Sequence, residues 1–338
     1  MDSKIKVRLN TEIKEALDRD CFYFGFMKEN GKLEKNDFLL TVILNYYTKF
    51  VENEKAKQNL IASHISSEDE LTKTKTASEI VKELNSKFII PFEDRHDDII
   101  AFRPNKENKD RFDYIIANIG EGDNLSSFFR SLLASYVRLP LYEREQIMFA
   151  EQISVLRNAI KSKKKVFISF KDTNEKCVAS PHSIQIASDD LGVYLLAKNE
   201  QKLFSCRLTR ISSVIIKDDQ VSFTQEDLNI LQKSARTAPQ FIYNGDEKKI
   251  EVKLTPEGAK KFNSISLYRP QPLKIVDDIY LFNCSYEQAI KYFSSFGKDA
   301  CILRPYELRV QIYKYYKSSF KYYQDNYMEE MKKAGYIE

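Results

Sequence analysis

Two stretches of this chain carry the same strand–helix–turn–helix pattern, and that repetition restricts the fold more than any other feature. Residues Lys4-Ile5-Lys6-Val7-Arg8-Leu9 alternate basic and apolar side chains, as a half-buried strand does. Asn10 and Thr11 follow as N-caps, and residues 12–24 then bring Ile13, Ala16, Leu17 and Cys21 to one helical face. Gly31 interrupts the chain. From Asp37 to about Glu54 a second helix aligns Leu39, Val42, Ile43, Tyr46, Tyr47 and Phe50. The second copy reads the same way: a strand at 98–103, a helix at 106–119, a turn at 120–124 and a helix at 125–139 stopped by Pro140. Arg8 corresponds to Arg103 and Leu17 to Phe112; Leu39 corresponds to Phe129 and Val42 to Leu132, across a shorter turn. One copy alone cannot bury both sides of its helices. The expectation is that strand 4–9 pairs antiparallel with strand 99–103 inside one chain, as a pseudo-dimer.

The two strands are unequal. The outer face of the first offers Lys4, Lys6 and Arg8, and that of the second offers Ile99, Ala101 and Arg103. A ribbon that reads a palindrome needs equivalent donors from both strands. Contact with nucleic acid of low specificity and a purely structural pairing both remain open here.

Between the copies, residues 52–82 are polar and read as a helix tail and a mobile or loosely helical connector. After them, Arg95-His96-Asp97-Asp98 reads as a solvated turn, since His64 and His182 leave too few partners for a metal site. Residues 141–165 read as one long amphipathic linker helix ending in Lys161-Ser162-Lys163-Lys164-Lys165. That lysine run serves either as a cap on the helix dipole or, through Lys163 and Lys164, as a phosphate contact.

From Lys165 to Lys217 the pattern changes to short apolar runs separated by polar turns, which predicts a small, strongly bent antiparallel sheet or barrel over 166–220. The run Leu203–Arg210 is expected as one strand, with Arg207 and Arg210 on opposite faces unless a bulge intervenes. Guanidinium groups suit phosphate and base recognition. Ser180, His182 and Tyr194 lie on neighbouring runs. The alternative for Arg207 is an ion pair with Asp189 or Asp190, and for Tyr194 a place in the core.

Three pieces of this stretch carry a resemblance. Gly192-Val193-Tyr194-Leu195-Leu196-Ala197 resembles the signature of WYL domains, with Val193 where tryptophan usually stands. Phe204-Ser205-Cys206-Arg207-Leu208-Thr209-Arg210-Ile211 resembles that family's paired-arginine strand, and Ala179-Ser180-Pro181-His182 the start of its second strand. The resemblance implies an SH3-like or Sm-like barrel whose basic groove takes nucleic acid or a nucleotide-like ligand, through Ser180, His182, Tyr194, Arg207 and Arg210. The N-terminal repeats resemble ribbon–helix–helix modules, which makes Lys4, Lys6, Arg8 and Arg103, with Lys163 and Lys164, a second candidate surface. The combination is similar to the ribbon–helix–helix/WYL accessory proteins of RNA-targeting type VI CRISPR systems. It implies a non-enzymatic protein that binds single-stranded RNA (or DNA) and stimulates a CRISPR effector. The alternative is a transcriptional regulator that reads duplex DNA and senses a ligand.

Residues 221–248 read as a polar connector with a short helix, and 249–338 as a split βαβ module, for an overall α+β class. Gly297, Arg304-Pro305 and Leu308-Arg309 resemble the C-terminal extension found with many WYL domains, which in that family often supports dimerisation. The last helix interleaves Tyr313, Tyr315, Tyr316, Phe320, Tyr322, Tyr323 and Tyr327 with lysines; stacking on bases would suit it, but an interface or core role is the expectation. A homodimer is expected.

With 53 basic and 49 acidic residues the net charge is only +4, so any nucleic-acid surface must be local. The five cysteines are scattered without a CxxC pair, which suits reduced thiols in a cytoplasmic protein. No run approaches the ~20 apolar residues of a membrane span. The common nucleotide-binding and hydrolase motifs are missing, and no cofactor is expected.

Overall fold

The computed structural model describes residues 4–66, 69–85, 98–119, 124–171, 173, 175–200, 202–243 and 249–336. The chain divides into two units, residues 1–154 and 155–338. Both mix helix and sheet, giving an α+β protein.

In the first unit, β1 (Ile5–Leu9) pairs antiparallel with β2 (Asp98–Phe102), Val7 opposite Ile100 and Arg8 opposite Ile99. The two repeats therefore do join through their strands. Alternation decides which face turns inward: Val7, Leu9, Ile100 and Phe102 are buried, while Lys6, Arg8 and Ile99 are exposed. Asn10 caps α1 (Thr11–Tyr23), its Oδ1 accepting from the Ile13 amide at 3.0 Å. Then comes α2 (Lys35–Ser63), and α3 (Glu70–Leu84), capped by Asp69, buries Ala77 and Val81. The expected loose connector is thus largely two regular helices, because Ala77 and Val81 give the polar sequence a narrow apolar seam.

After β2 the second copy supplies α4 (Lys109–Ala117) and α5 (Leu125–Val137). Its expected turn falls largely on residues 120–123, outside the described residues, as do Arg95, His96 and Asp97. Equivalent positions in the two copies are buried alike: Leu39 with Phe129, Val42 with Leu132. Phe112 and Phe129 stack at 5.7 Å with Phe102 edge-on to both, so rings fill the space between strand and helices.

The 141–165 segment is two helices and a strand start, not one helix. α6 (Leu141–Met148) ends at Phe149, whose backbone leaves helical geometry, and α7 (Ala150–Lys161) follows. Phe149 is buried with its ring edge-on to Phe24 at 6.0 Å, a packing position that outweighs helix continuation. Arg144 on α6 clasps Asp20 on α1 with Nη1 2.5 and 2.6 Å from the two carboxylate oxygens. Burial nevertheless raises the Asp20 carboxyl above its usual range, with Arg144 pulling the other way.

The second unit holds two sheets. β3 (Lys164–Phe170), β4 (Lys176–Ile186), β5 (Val193–Lys198), β6 (Leu203–Arg207) and β7 (Ile211–Gln220) form an antiparallel sheet in the order β6-β5-β4-β3-β7. β6 and β7 are its two edges and do not pair, so the expected closed barrel is an open, bulged sheet. Nor is 203–210 one strand. It breaks after Arg207 into a 3-10 turn, Leu208–Arg210, because the chain must cross from one sheet edge to the other with Leu208 buried beneath it. α8 (Gln225–Thr237) opens on a Thr224–Asp227 capping box.

The last module runs β8 (Ile250–Leu254), α9 (Pro256–Ser264), β9 (Pro272–Val276), β10 (Ile279–Phe282), α10 (Tyr286–Phe293), β11 (Ala300–Arg304) and α11 (Tyr306–Lys333). The sheet order β11-β8-β10-β9, antiparallel throughout, is that of a split βαβ arrangement. After Phe293 the chain tightens into 3-10 turns through Asp299, with Gly297 at φ 59°. Leu308 and Ile312 anchor α11 in the core, while Tyr313, Phe320, Tyr322, Tyr323 and Tyr327 are exposed. Among the described residues no helix is long and apolar enough to cross a membrane.

Candidate nucleic-acid interface

The five-stranded sheet separates the residues that the paired-arginine stretch was expected to group. Arg207 and Tyr194 are cross-strand partners on β6 and β5. Both converge on Asp190 in the β4–β5 loop. The Tyr194 hydroxyl donates to Asp190 Oδ2 at 2.6 Å, and Arg207 Nη1 lies 3.4 Å from the same oxygen. The guanidinium carbon is 5.8 Å from the Tyr194 ring centroid. Gly192 makes this packing possible, since a Cβ there would stand 2.7 Å from Arg207 Cζ. Burial and the Asp190 carboxylate both push the Tyr194 phenol well above its ordinary range, so it stays a neutral donor.

The same loop ties the sheet to the segments that follow it. Asp189 accepts from the Tyr268 amide at 2.7 Å and from the Gln240 side chain. Arg207 thus pairs with Asp190, and Tyr194 is buried beside it with its hydroxyl on the same carboxylate; both alternatives open from the sequence describe them.

The remaining predicted residues lie elsewhere. Ser180 is buried on β4 opposite Lys198. His182 is half-buried, its Nδ1 3.0 Å from Ser183 Oγ and its ring edge-on to Phe223 at 5.9 Å. Burial lowers the imidazole below its ordinary value of 6.5, so the ring is held neutral. Arg210 is exposed in the 3-10 turn and lines a cavity of about 660 Å³. That cavity lies between the β3–β4 and β5–β6 ends of the sheet. Lys176 and Lys202 join Arg210 on it, and Phe170, Phe204 and Cys177 give it an apolar part.

Sequence reasoning did not single out Lys176, Lys202, Phe170 or Phe204. Each reads locally as a strand end or a strand-core residue, and only the bend of the sheet brings them together. Of the lysine run at 161–165, Lys161 lies in the last turn of α7, as a cap on the helix dipole would, but the rest leaves the helix. Lys163 takes a left-handed conformation (φ 54°), and Lys164 enters β3 and pairs with Asp218 at 3.1 Å.

In the first unit the outer face of the β1–β2 ribbon exposes Lys4, Lys6 and Arg8, and Arg103 just beyond β2 is exposed too. The ribbon is fixed from beneath: Arg130 Nε donates to the Arg8 carbonyl at 2.7 Å, and the Arg103 amide donates to Asn36 Oδ1 at 3.0 Å. The cationic asymmetry read from the sequence is retained, because Lys6 faces Ala101 and Arg8 faces Ile99.

No protein-family model matches the chain, and no curated protein matches its sequence. Its fold is similar to that of a solved protein described as CRISPR Cas-related, with a TM-score of 0.65 at 16% identity over 97% of this chain and 95% of that one. At that identity the likeness is one of fold. A second solved structure, proteasome accessory factor B/C of Arthrobacter aurescens, aligns at 15% identity over 91% of this chain and 48% of that one, with a TM-score of 0.24.

Proposed function

We propose that this is a non-enzymatic, CRISPR-associated accessory protein that binds single-stranded nucleic acid, RNA first, on the five-stranded sheet of its second unit. The observation that carries the reading is the convergence of Lys176, Lys202 and Arg210 on one half-apolar cavity. Cations beside aromatic side chains suit a strand whose phosphates and bases are both exposed, and suit a duplex with stacked bases less well. The shared fold with a CRISPR Cas-related protein supports the setting. In this reading the sheet is a WYL domain in an open form, and Arg207 with Tyr194 shapes it while Arg210 meets the strand. Stimulation of an effector, and dimerisation through 249–338, belong to the same proposal.

A second reading has its own observation. The β1–β2 ribbon is formed within the chain and presents Lys4, Lys6 and Arg8 together, as a ribbon–helix–helix module entering a major groove would. The unequal second strand, with Ile99 and Ala101 opposite these cations, argues against palindromic reading.

Binding of matched single-stranded RNA, single-stranded DNA and duplex DNA at two salt concentrations separates the two. The proposal expects single strands to bind more tightly than duplex, RNA at least as well as DNA, with a clear salt dependence. Preference for duplex DNA would favour the regulator.

A further inference from the structure

We infer that the cavity between the β3–β4 and β5–β6 ends of the sheet is a single-nucleotide slot, which takes one unstacked base against Phe170 and Phe204 and its phosphate on the cationic rim. The inference rests on the single-strand reading and goes beyond it. A groove that follows only the backbone needs charge and no depth, whereas a slot for a base needs an apolar interior.

The cavity has that interior. Phe170 ends β3 and Phe204 sits in β6, and both line it. Among the described residues neither ring packs on another aromatic ring, so each gives the cavity an aromatic surface without a ring partner. This contrasts with the first unit and the C-terminal module, where phenylalanines gather into ring clusters. At about 660 Å³ the space falls within the range of small-ligand sites and accommodates a nucleotide with room for its neighbours in a strand to leave.

The rim has the matching charge. Lys176 follows the β3–β4 turn and Lys202 precedes β6, both exposed, with Arg210 on the 3-10 turn. Glu175 and Glu200 also line the cavity. Three cations against two carboxylates favour one phosphate and do not make a strongly basic channel. The Lys202 amide donates to Asn199 Oδ1 at 2.8 Å, and the Asn199 amide donates to the Lys202 carbonyl at 3.0 Å, so the turn carrying Lys202 is held closed.

Cys177 supplies a local reporter. Its half-buried thiol lines the cavity; Cys206 lines it too but is buried, as are Cys21 and Cys284, and Cys301 is exposed on β11. The test measures site-resolved alkylation of Cys177 and Cys301 in the full chain by mass spectrometry. It is run with and without a saturating uridine-rich or adenosine-rich RNA octamer, and then with uridine or adenosine 5′-monophosphate. The slot predicts that the octamers slow Cys177 alkylation at least tenfold with Cys301 unchanged, and that a monophosphate does so at higher concentration. Phe204→Ala should weaken octamer binding roughly tenfold without changing its salt slope, since stacking releases no counterion. Lys202→Ala, on an exposed turn, should weaken it and flatten the slope. If the octamers bind and Cys177 alkylates at its free rate, the slot is wrong and the single-strand reading stands. If no single strand binds, both fall.

Discussion

A Cβ placed on Gly192 would stand 2.7 Å from the Arg207 guanidinium carbon and 2.9 Å from the Tyr194 ring. The position therefore demands glycine for reasons of space. Gly192→Ala must move Arg207 off Asp190 or push Tyr194, which is buried. The expected cost is ~1–3 kcal/mol, as for other overpacked sites. Urea denaturation of the variant checks this; an unchanged midpoint would show that the cluster gives way freely.

Arg207 and Arg210 should behave as opposites. Arg207→Ala leaves the Asp190 carboxylate, largely shielded from solvent, accepting from the Tyr194 hydroxyl and the Gly192 amide without its guanidinium. A destabilisation of ~1–3 kcal/mol follows. Arg210→Ala, exposed on the 3-10 turn, should leave the melting temperature within about 1 °C, since surface changes are usually within ±0.5 kcal/mol. Melting curves of the two variants side by side decide the matter, and equal losses would contradict the division of roles.

His182 makes stability depend on pH. Burial holds the folded imidazole below its ordinary value of 6.5, so on acidification the unfolded chain takes up the proton first. Its contribution is full above about pH 6.5, declines as the pH falls below that, and levels off once the folded ring is protonated as well. His182→Gln should remove this part of the slope between pH 7.5 and pH 5 in thermal melts. A variant with the wild-type pH profile would show that the ring titrates alike in both states.

Gly258 is tighter still, because a Cβ there would meet the Asp299 carbonyl at 2.1 Å. That carbonyl accepts from the Thr255 amide, and the Asp299 side chain accepts from Thr255 Oγ1 at 3.0 Å and Lys261 Nζ at 2.7 Å. Since backbone cannot yield as a side-chain tip does, Gly258→Ala should cost ~3 kcal/mol or more. Proteolysis would then begin within 249–338. Protection equal to wild type would contradict this account of the contact between α9 and the 3-10 turns before β11.

The parts of the fold legible in the sequence were those set by local periodicity. Lys4 to Leu9 alternates without a break, and its repeat at 98–103 told which strand would pair with it. Asn10 announced α1 by its capping chemistry, together with the apolar face that follows it. The parts that escaped were set by distant packing. Nothing in Arg207-Leu208-Thr209-Arg210 marks a turn, since it holds neither glycine nor proline; the break is imposed by the crossing between sheet edges. Phe149 continues the helical period of its neighbours, yet its burial against Phe24 ends α6. The site was half legible for the same reason. Arg210 could be named from the sequence, but Phe170, Phe204, Lys176 and Lys202 meet it only once the sheet is bent.

The most direct test of the central claim is the affinity of matched single-stranded RNA and duplex DNA for three proteins: wild type, Arg210→Ala and the ribbon double variant Lys6→Ala/Arg8→Ala. Loss of one charge-assisted contact at Arg210 removes about 1.5–3 kcal/mol, or roughly tenfold to a hundredfold in affinity. It should also flatten the single-strand salt dependence by about 0.7 in log–log slope. The account predicts that Arg210→Ala loses single-stranded RNA in this way with its melting temperature intact, while the ribbon variant keeps it. If Arg210→Ala instead retains all nucleic-acid binding and the ribbon variant loses duplex DNA, the sheet is not the site and the protein is a regulator that reads duplex DNA.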